Sequence, residues 1–109
     1  MTHPSKVKGN RFEREIVNKA KEEGLKARRA YASDGRSLGL SEKVDCEVEG
    51  FRIQAKRRKR IAQWLKPDSV EVDLVAVRED RGDTFVVFPL LLALQLIKAF
   101  RKWEECLKE

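Results

Sequence analysis

The sequence predicts one α/β domain, and three features predict it: helical apolar spacing near the start, strand-like alternation in the middle, and a long apolar helix at the end. Its 109 residues are enough for one core and too few for two. Asn10 can cap a helix running to about Gly24, with Phe12, Ile16, Val17 and Ala20 at helical spacing and an αL-tolerant glycine at the far end. Leu25 to Ala32 reads as a strand. Ser33 to Ser41, SDGRSLGLS, has two glycines, three serines and no apolar period, the pattern of an irregular loop. Val44 to Lys56 alternates on both sides of Glu49-Gly50 and reads as two strands joined by a two-residue turn. A short helical region, about Lys59 to Lys66, separates this hairpin from Glu71 to Val77, an apolar strand continuous enough to be buried on both faces. Arg81-Gly82-Asp83 turns the chain into Thr84 to Phe88. From Pro89, suited to a first helical turn, LLLALQLIKAFRKWEECLKE forms a long helix that is apolar almost all round at its start.

Hydrophobic residues make up 41%, near the globular norm, whereas 39% charged residues is well above the usual quarter, so a foldable core is wrapped in an unusually ionic surface. Residues 1 to 66 carry 18 basic and 9 acidic side chains and residues 67 to 109 carry 6 and 9, so the whole excess of +6 comes from the first part. Such a field favours polyanions, nucleic acid first. No apolar run approaches the about 18 residues needed to span a bilayer, and residues 1 to 11 lack the apolar centre of a secretory signal. The expectation is a cytoplasmic, intracellular protein with no membrane partner, nucleoid-associated in a cell or in the host cytoplasm if viral. Cys46 and Cys106 show no CxxC spacing and the sole histidine, His3, sits in a terminal tail, which argues against zinc and thiol chemistry.

The hairpin VDCEVEGFRIQAK is the most informative segment. With a turn at Glu49-Gly50, Cys46 faces Ile53, Glu47 faces Arg52 and Asp45 faces Gln54. One face is then apolar through Cys46, Val48, Phe51, Ile53 and Ala55, and a one-residue slip would pair apolar with polar positions, so burial selects this register. The other face collects Asp45, Gln54 and Lys56. Lys56 lies diagonal to Asp45 across roughly 7 to 8 Å, a gap able to take a hydrated cation and a phosphate oxygen. The plainer reading is a solvated face with Glu47 and Arg52 as a cross-strand ion pair. On the opening helix Glu13 falls inside the apolar arc and Glu15 nearly opposite it. An acid aimed at the core needs a cation or strong donors, unless it snorkels to a nearby Arg or Lys.

Taken together these residues resemble the PD-(D/E)xK nucleases, and within them the archaeal-type Holliday-junction resolvases. The opening KGNRFEREIV, from Lys8 to Val17, is similar to the resolvase start, which makes Glu13 the first acidic ligand. Arg29 and Ser33 in RRAYAS match an Arg and a Ser carried after the first strand. Asp45, followed at hairpin spacing by Gln54-Ala55-Lys56, stands where the family has Asp and then Glu-x-Lys, with Gln54 in place of the usual acid. The resemblance implies residues 1 to 109 as a single nuclease domain of restriction-endonuclease-like fold, a central mixed β-sheet flanked by helices. It implies metal-assisted phosphodiester hydrolysis, with Mg²⁺, or Mn²⁺ in its place, on Asp45, the Gln54 carbonyl and Glu13. Lys56 orients the attacking water and offsets developing charge, and Ser33 joins the catalytic set. The substrate class is branched DNA, above all the four-way junction.

Around that site, the run KRRKR at Lys56 to Arg60 reads as a phosphate-tracking rim through Arg57, Arg58, Lys59 and Arg60, with Lys8, Arg14, Arg28, Arg29 and Arg36 as further contacts; a solvated edge is the plainer alternative. The loop Ser33 to Ser41 folds over a strand, enters an open junction or is disordered. Trp64 in IAQWL reads as core or dimer packing rather than a base-stacking ring. The last helix has more apolar perimeter than one sheet face needs, with Phe100, Trp103 and Leu107 continuing the stripe, and this predicts a homodimer. Two other readings stay open: a DNA-binding module on the nuclease fold without chemistry, for which Gln54 speaks, and a nuclease of the same superfamily with another DNA target.

Overall fold

The structure, a computed structural model, describes residues 4 to 108, without the side chains of residues 4 to 6 and of Ser33. The site assignment of Ser33 and the tail position of His3 therefore lie outside the described residues. The order is helix, three short strands, two further strands and a helix, a mixed α/β arrangement of two small antiparallel sheets and two long helices.

Helix α1 spans Pro4–Glu22 and so begins six residues before Asn10, which lies inside it rather than at its cap. Proline fits a first turn because it has no amide hydrogen to leave unsatisfied and its φ is already helical. The helix ends as the sequence predicts. Gly24 takes φ +80° and donates to the Lys21 carbonyl at 2.9 Å, and Leu25 donates to the Ala20 carbonyl at 3.0 Å. This is a Schellman motif, closed by apolar contact of Leu25 and Ala20 in the core.

Strand β1 (Ala27–Arg29) is a three-residue remnant of the longer strand expected from Leu25 to Ala32. It pairs antiparallel with β2 (Cys46–Val48), which pairs antiparallel with β3 (Phe51–Ile53) in the register Cys46↔Ile53, Glu47↔Arg52 and Val48↔Phe51. That is the register the apolar alternation selects. Glu49 and Gly50 both take positive φ, 48° and 86°, as a type I′ turn requires and as only a glycine adopts freely at the second position.

The apolar face of this sheet carries the core. Ile16, Val17 and Ala20 of α1 meet Cys46, Val48 and the half-buried Ile53, while Leu90, Leu94 and Ile97 of helix α2 (Leu90–Lys108) pack beside them on the same face. Arg101 of α2 donates to the Glu49 carbonyl and stacks 4.8 Å above the Phe51 ring, tying the last helix to the hairpin turn. The opposite face is polar, with Arg28 bonded to Glu47 at 3.0 Å, so Glu47 pairs across β1 rather than with Arg52.

Strands β4 (Val75–Arg78) and β5 (Thr84–Val87) form their own hairpin instead of joining the first three. Their pairing is antiparallel, so the described strands make no single mixed sheet. Glu71 to Val77 is not a strand buried on both faces. Only its end pairs, and Leu74, Phe85 and Val86 stay exposed, with neither described helix covering this hairpin. The helical region expected near Lys59 to Lys66 is a single 3₁₀ turn, Gln63–Leu65. Among the described residues no helix is long and apolar enough to cross a membrane.

The stretch Ser33 to Ser41 is irregular but built. Asp34 caps a 3₁₀ turn, Gly35–Leu38, by accepting from the Arg36 amide. Gly35 is buried so tightly that a Cβ there would lie 2.0 Å from the Ser41 carbonyl oxygen and 2.8 Å from the Val44 Cβ. Glycine is required at this position by the close approach.

Candidate active site

Strict alternation poses a problem for the site predicted from the sequence. Helix α1 covers the Cys46 face, so Glu13 belongs to that side, whereas a regular strand would turn Asp45 to the other. A local irregularity removes the conflict. Cys46 is already the partner of Ile53, yet the Asp45 amide also donates to the Ile53 carbonyl at 2.9 Å, so two residues of one chain segment face one of the other. This β-bulge re-aims Asp45 and takes it out of direct opposition to Gln54. Its carboxylate accepts from the Ala55 amide at 2.6 Å, against the middle of the Gln54-Ala55-Lys56 segment. The Asp45 carbonyl accepts in turn from Ala30 at the end of β1.

Glu13 is buried, 3% exposed, and its carboxylate lies 3.6 Å from an Arg29 guanidinium nitrogen. It does not snorkel to solvent. Arg29 stands opposite Cys46 in the β1–β2 ladder, and that parity turns it toward α1. Its Nη1 is buried beside the Glu13 carboxylate with no hydrogen-bond partner among the described groups, while the side chain as a whole keeps 26% of its surface exposed.

Glu13 and Asp45 bear on the same neighbour. Burial, and then the charges of Glu13 and Asp45, push the Cys46 thiol up from its ordinary 9.0 to about 11. Cys46 should therefore resist alkylation at pH 8 in the native protein, while the exposed Cys106 reacts. Thiol counting should find one reactive group in buffer and two in denaturant; two in buffer would contradict the packing. Because the folded thiol holds its proton where the unfolded one has lost it, stability should fall as pH rises from 9 towards 11.

Gln54 and Lys56 are exposed beside Asp45. Lys8 and Arg14 are exposed on α1, and Arg57 reaches back to the Lys8 carbonyl at 3.5 Å, so the basic run begins at the same end of the molecule as the helix start. Arg58, Lys59 and Arg60 continue it in solvent. Arg36 is engaged by Asp34 at 2.5 Å, whose carboxyl its guanidinium holds below the usual range, and Arg28 by Glu47.

Among the described residues no group of three or more His, Cys, Asp and Glu is placed to hold a metal ion. Mg²⁺ takes one or two carboxylates and keeps water or phosphate elsewhere; Asp45, held by the Ala55 amide, and Glu13, held by Arg29, are carboxylates of that chemistry on neighbouring elements. Sequence reasoning missed two contributors. The Ala55 amide holds Asp45, and no side chain signals it; Arg29 holds Glu13, and its pairing opposite Cys46 is the signal that could have shown it. Comparison of the chain with protein family models, curated proteins and solved structures finds no match.

Proposed function

We propose that the protein is a metal-dependent endonuclease of restriction-endonuclease-like architecture acting on branched DNA, with the four-way junction as its foremost substrate. The observation that carries this reading is the Asp45 carboxylate bonded to the Ala55 amide between Gln54 and Lys56, with Glu13 buried on α1, which packs on the Cys46 face of the same sheet. Asp45, the Gln54 carbonyl and Glu13 would hold Mg²⁺, or Mn²⁺, which when bound would polarise a phosphate oxygen and acidify water. The Ala55 amide fixes the direction of Asp45, and Arg29 fixes Glu13. Lys56, a compact cation on a flexible stem, orients the attacking water and offsets charge gathering on the phosphate oxygens. Lys8, Arg14 and Arg57 to Arg60 take the flanking phosphates.

A homodimer completes the reading, since a four-way junction calls for two opposed cuts. The chain exposes 9,072 Å², against about 6,200 Å² for a compact monomer of its mass. The surplus exceeds what a standard interface removes from both partners. Leu91, Leu96, Phe100 and Trp103 of α2 are among the exposed apolar groups a twofold partner would cover.

The second reading, a non-cleaving DNA-binding module, is favoured by Gln54 and by Arg29 beside Glu13, a cation already neutralising one of the two acids. A gel of labelled four-way junction, flap and duplex, with and without Mg²⁺, decides. Paired Mg²⁺-dependent cuts in the junction support the resolvase; cutting of flap or duplex instead reassigns the target; binding without cutting favours the module.

A further inference from the structure

Away from the candidate active site, the β4–β5 hairpin and the 3₁₀ turn before it enclose a cleft of about 280 Å³ bordered by Trp64, Val77, Arg78, Glu79, Asp83 and Phe85. Its two aromatic side chains are left largely in solvent, Trp64 at 67% and Phe85 at 66% exposure. The packing role expected of Trp64 is thus not met within the chain. Exposed aromatic side chains beside a concave wall make a stacking platform. Four residues before Trp64 the run Lys56 to Arg60 ends, and four residues span at most about 14 Å. The run of five cations therefore ends within about 14 Å of Trp64 along the chain.

We propose that this cleft stacks an unpaired base of the nucleic acid strand whose phosphates run along Lys56 to Arg60. The inference rests on the nucleic-acid part of the proposed function and is independent of cleavage. The charge pattern assigns the orientation. Among the lining groups Arg78 offsets only one of Glu79 and Asp83, whereas the run carries five cations, so the strand's backbone stays on the basic run and a base enters. An ionised carboxylate accepts hydrogen bonds and donates none. Glu79 and Asp83 therefore favour a base that presents an exocyclic amino group, cytosine, adenine or guanine, over thymine, whose one donor, N3–H, is flanked by two carbonyl oxygens.

The test uses the full chain carrying W103F, which leaves Trp64 as the single tryptophan reporter. It is titrated with single-stranded oligomers of equal length made of cytidines, of thymidines or of abasic sugar-phosphate. The cytidine oligomer should quench Trp64 emission and bind about 5- to 100-fold tighter than the abasic one, an advantage that W64A removes. The thymidine oligomer should fall between them. Equal affinity for cytidine and abasic oligomers with unchanged emission overturns the proposal and leaves the cleavage reading standing. Equal affinity for cytidine and thymidine removes the role of Glu79 and Asp83. Emission that shifts on protein dilution alone assigns the cleft to a second copy of the chain and overturns it too, and failure of every oligomer to bind overturns both this inference and the nucleic-acid reading beneath it.

Discussion

Asp45→Ala and Lys56→Ala should each lower Mg²⁺-dependent cleavage of a four-way junction by at least about 10²- to 10³-fold, the loss expected when one preorganised charge or donor is taken from a phosphoryl or acyl transfer site. Binding of the same junction in a mobility-shift assay should change by only a few-fold, because the proposed function assigns the phosphate contacts to the basic run and α1. Asp45 accepts from the Ala55 amide through one oxygen, and the proposed site assigns the other to the cation. Replacing it removes a ligand without opening the core, since Asp45 is only half-buried. Gln54→Glu should act in the opposite sense: a third carboxylate beside Asp45 raises metal affinity, read as a lower Mg²⁺ concentration for half-maximal cleavage. Wild-type rates in Asp45→Ala or Lys56→Ala would remove the proposed site.

Glu13→Ala should destabilise the fold by about 2 to 4 kcal/mol, because it strands the Arg29 guanidinium against the core with its counter-charge gone. The figure sits below that of a fully buried pair, since the Arg29 side chain keeps 26% of its surface in water against 4% for Glu13. In urea the midpoint should fall by more than about 1 M. A double variant, Glu13→Leu with Arg29→Met, should recover most of the loss, because removing both charges costs far less than removing one. A Glu13→Ala midpoint equal to the parent's, or a double variant no better than the single one, would show that the pair does not hold the helix to the sheet.

Much of the first half of the molecule was legible in the residue pattern. Alternation through Cys46, Val48, Phe51 and Ile53 with Gly50 at the turn is enough to specify the hairpin register, because a slip exposes every apolar side chain at once. The Gly24 stop and the Ile16, Val17 and Ala20 stripe likewise placed α1 on that face, although its start lay earlier than Asn10. The second half was legible as elements and not as an assembly. The strands around Ala76 and Val86 are where their composition puts them, yet nothing in a local apolar run states which layer will cover it, and the described residues supply none.

By itself, then, the sequence determined the local periods, the turn chemistry and the uneven charge, all of which depend on neighbours a few residues apart. The tertiary structure alone decided that a bulge re-aims Asp45 onto the Ala55 amide, that Arg29 turns inward to Glu13, and that Trp64 and Phe85 border an open cleft. Those outcomes depend on which elements meet and at what offset. Long side chains and strand ends can satisfy their backbone and charge in more than one direction, and only packing between distant segments selects among them.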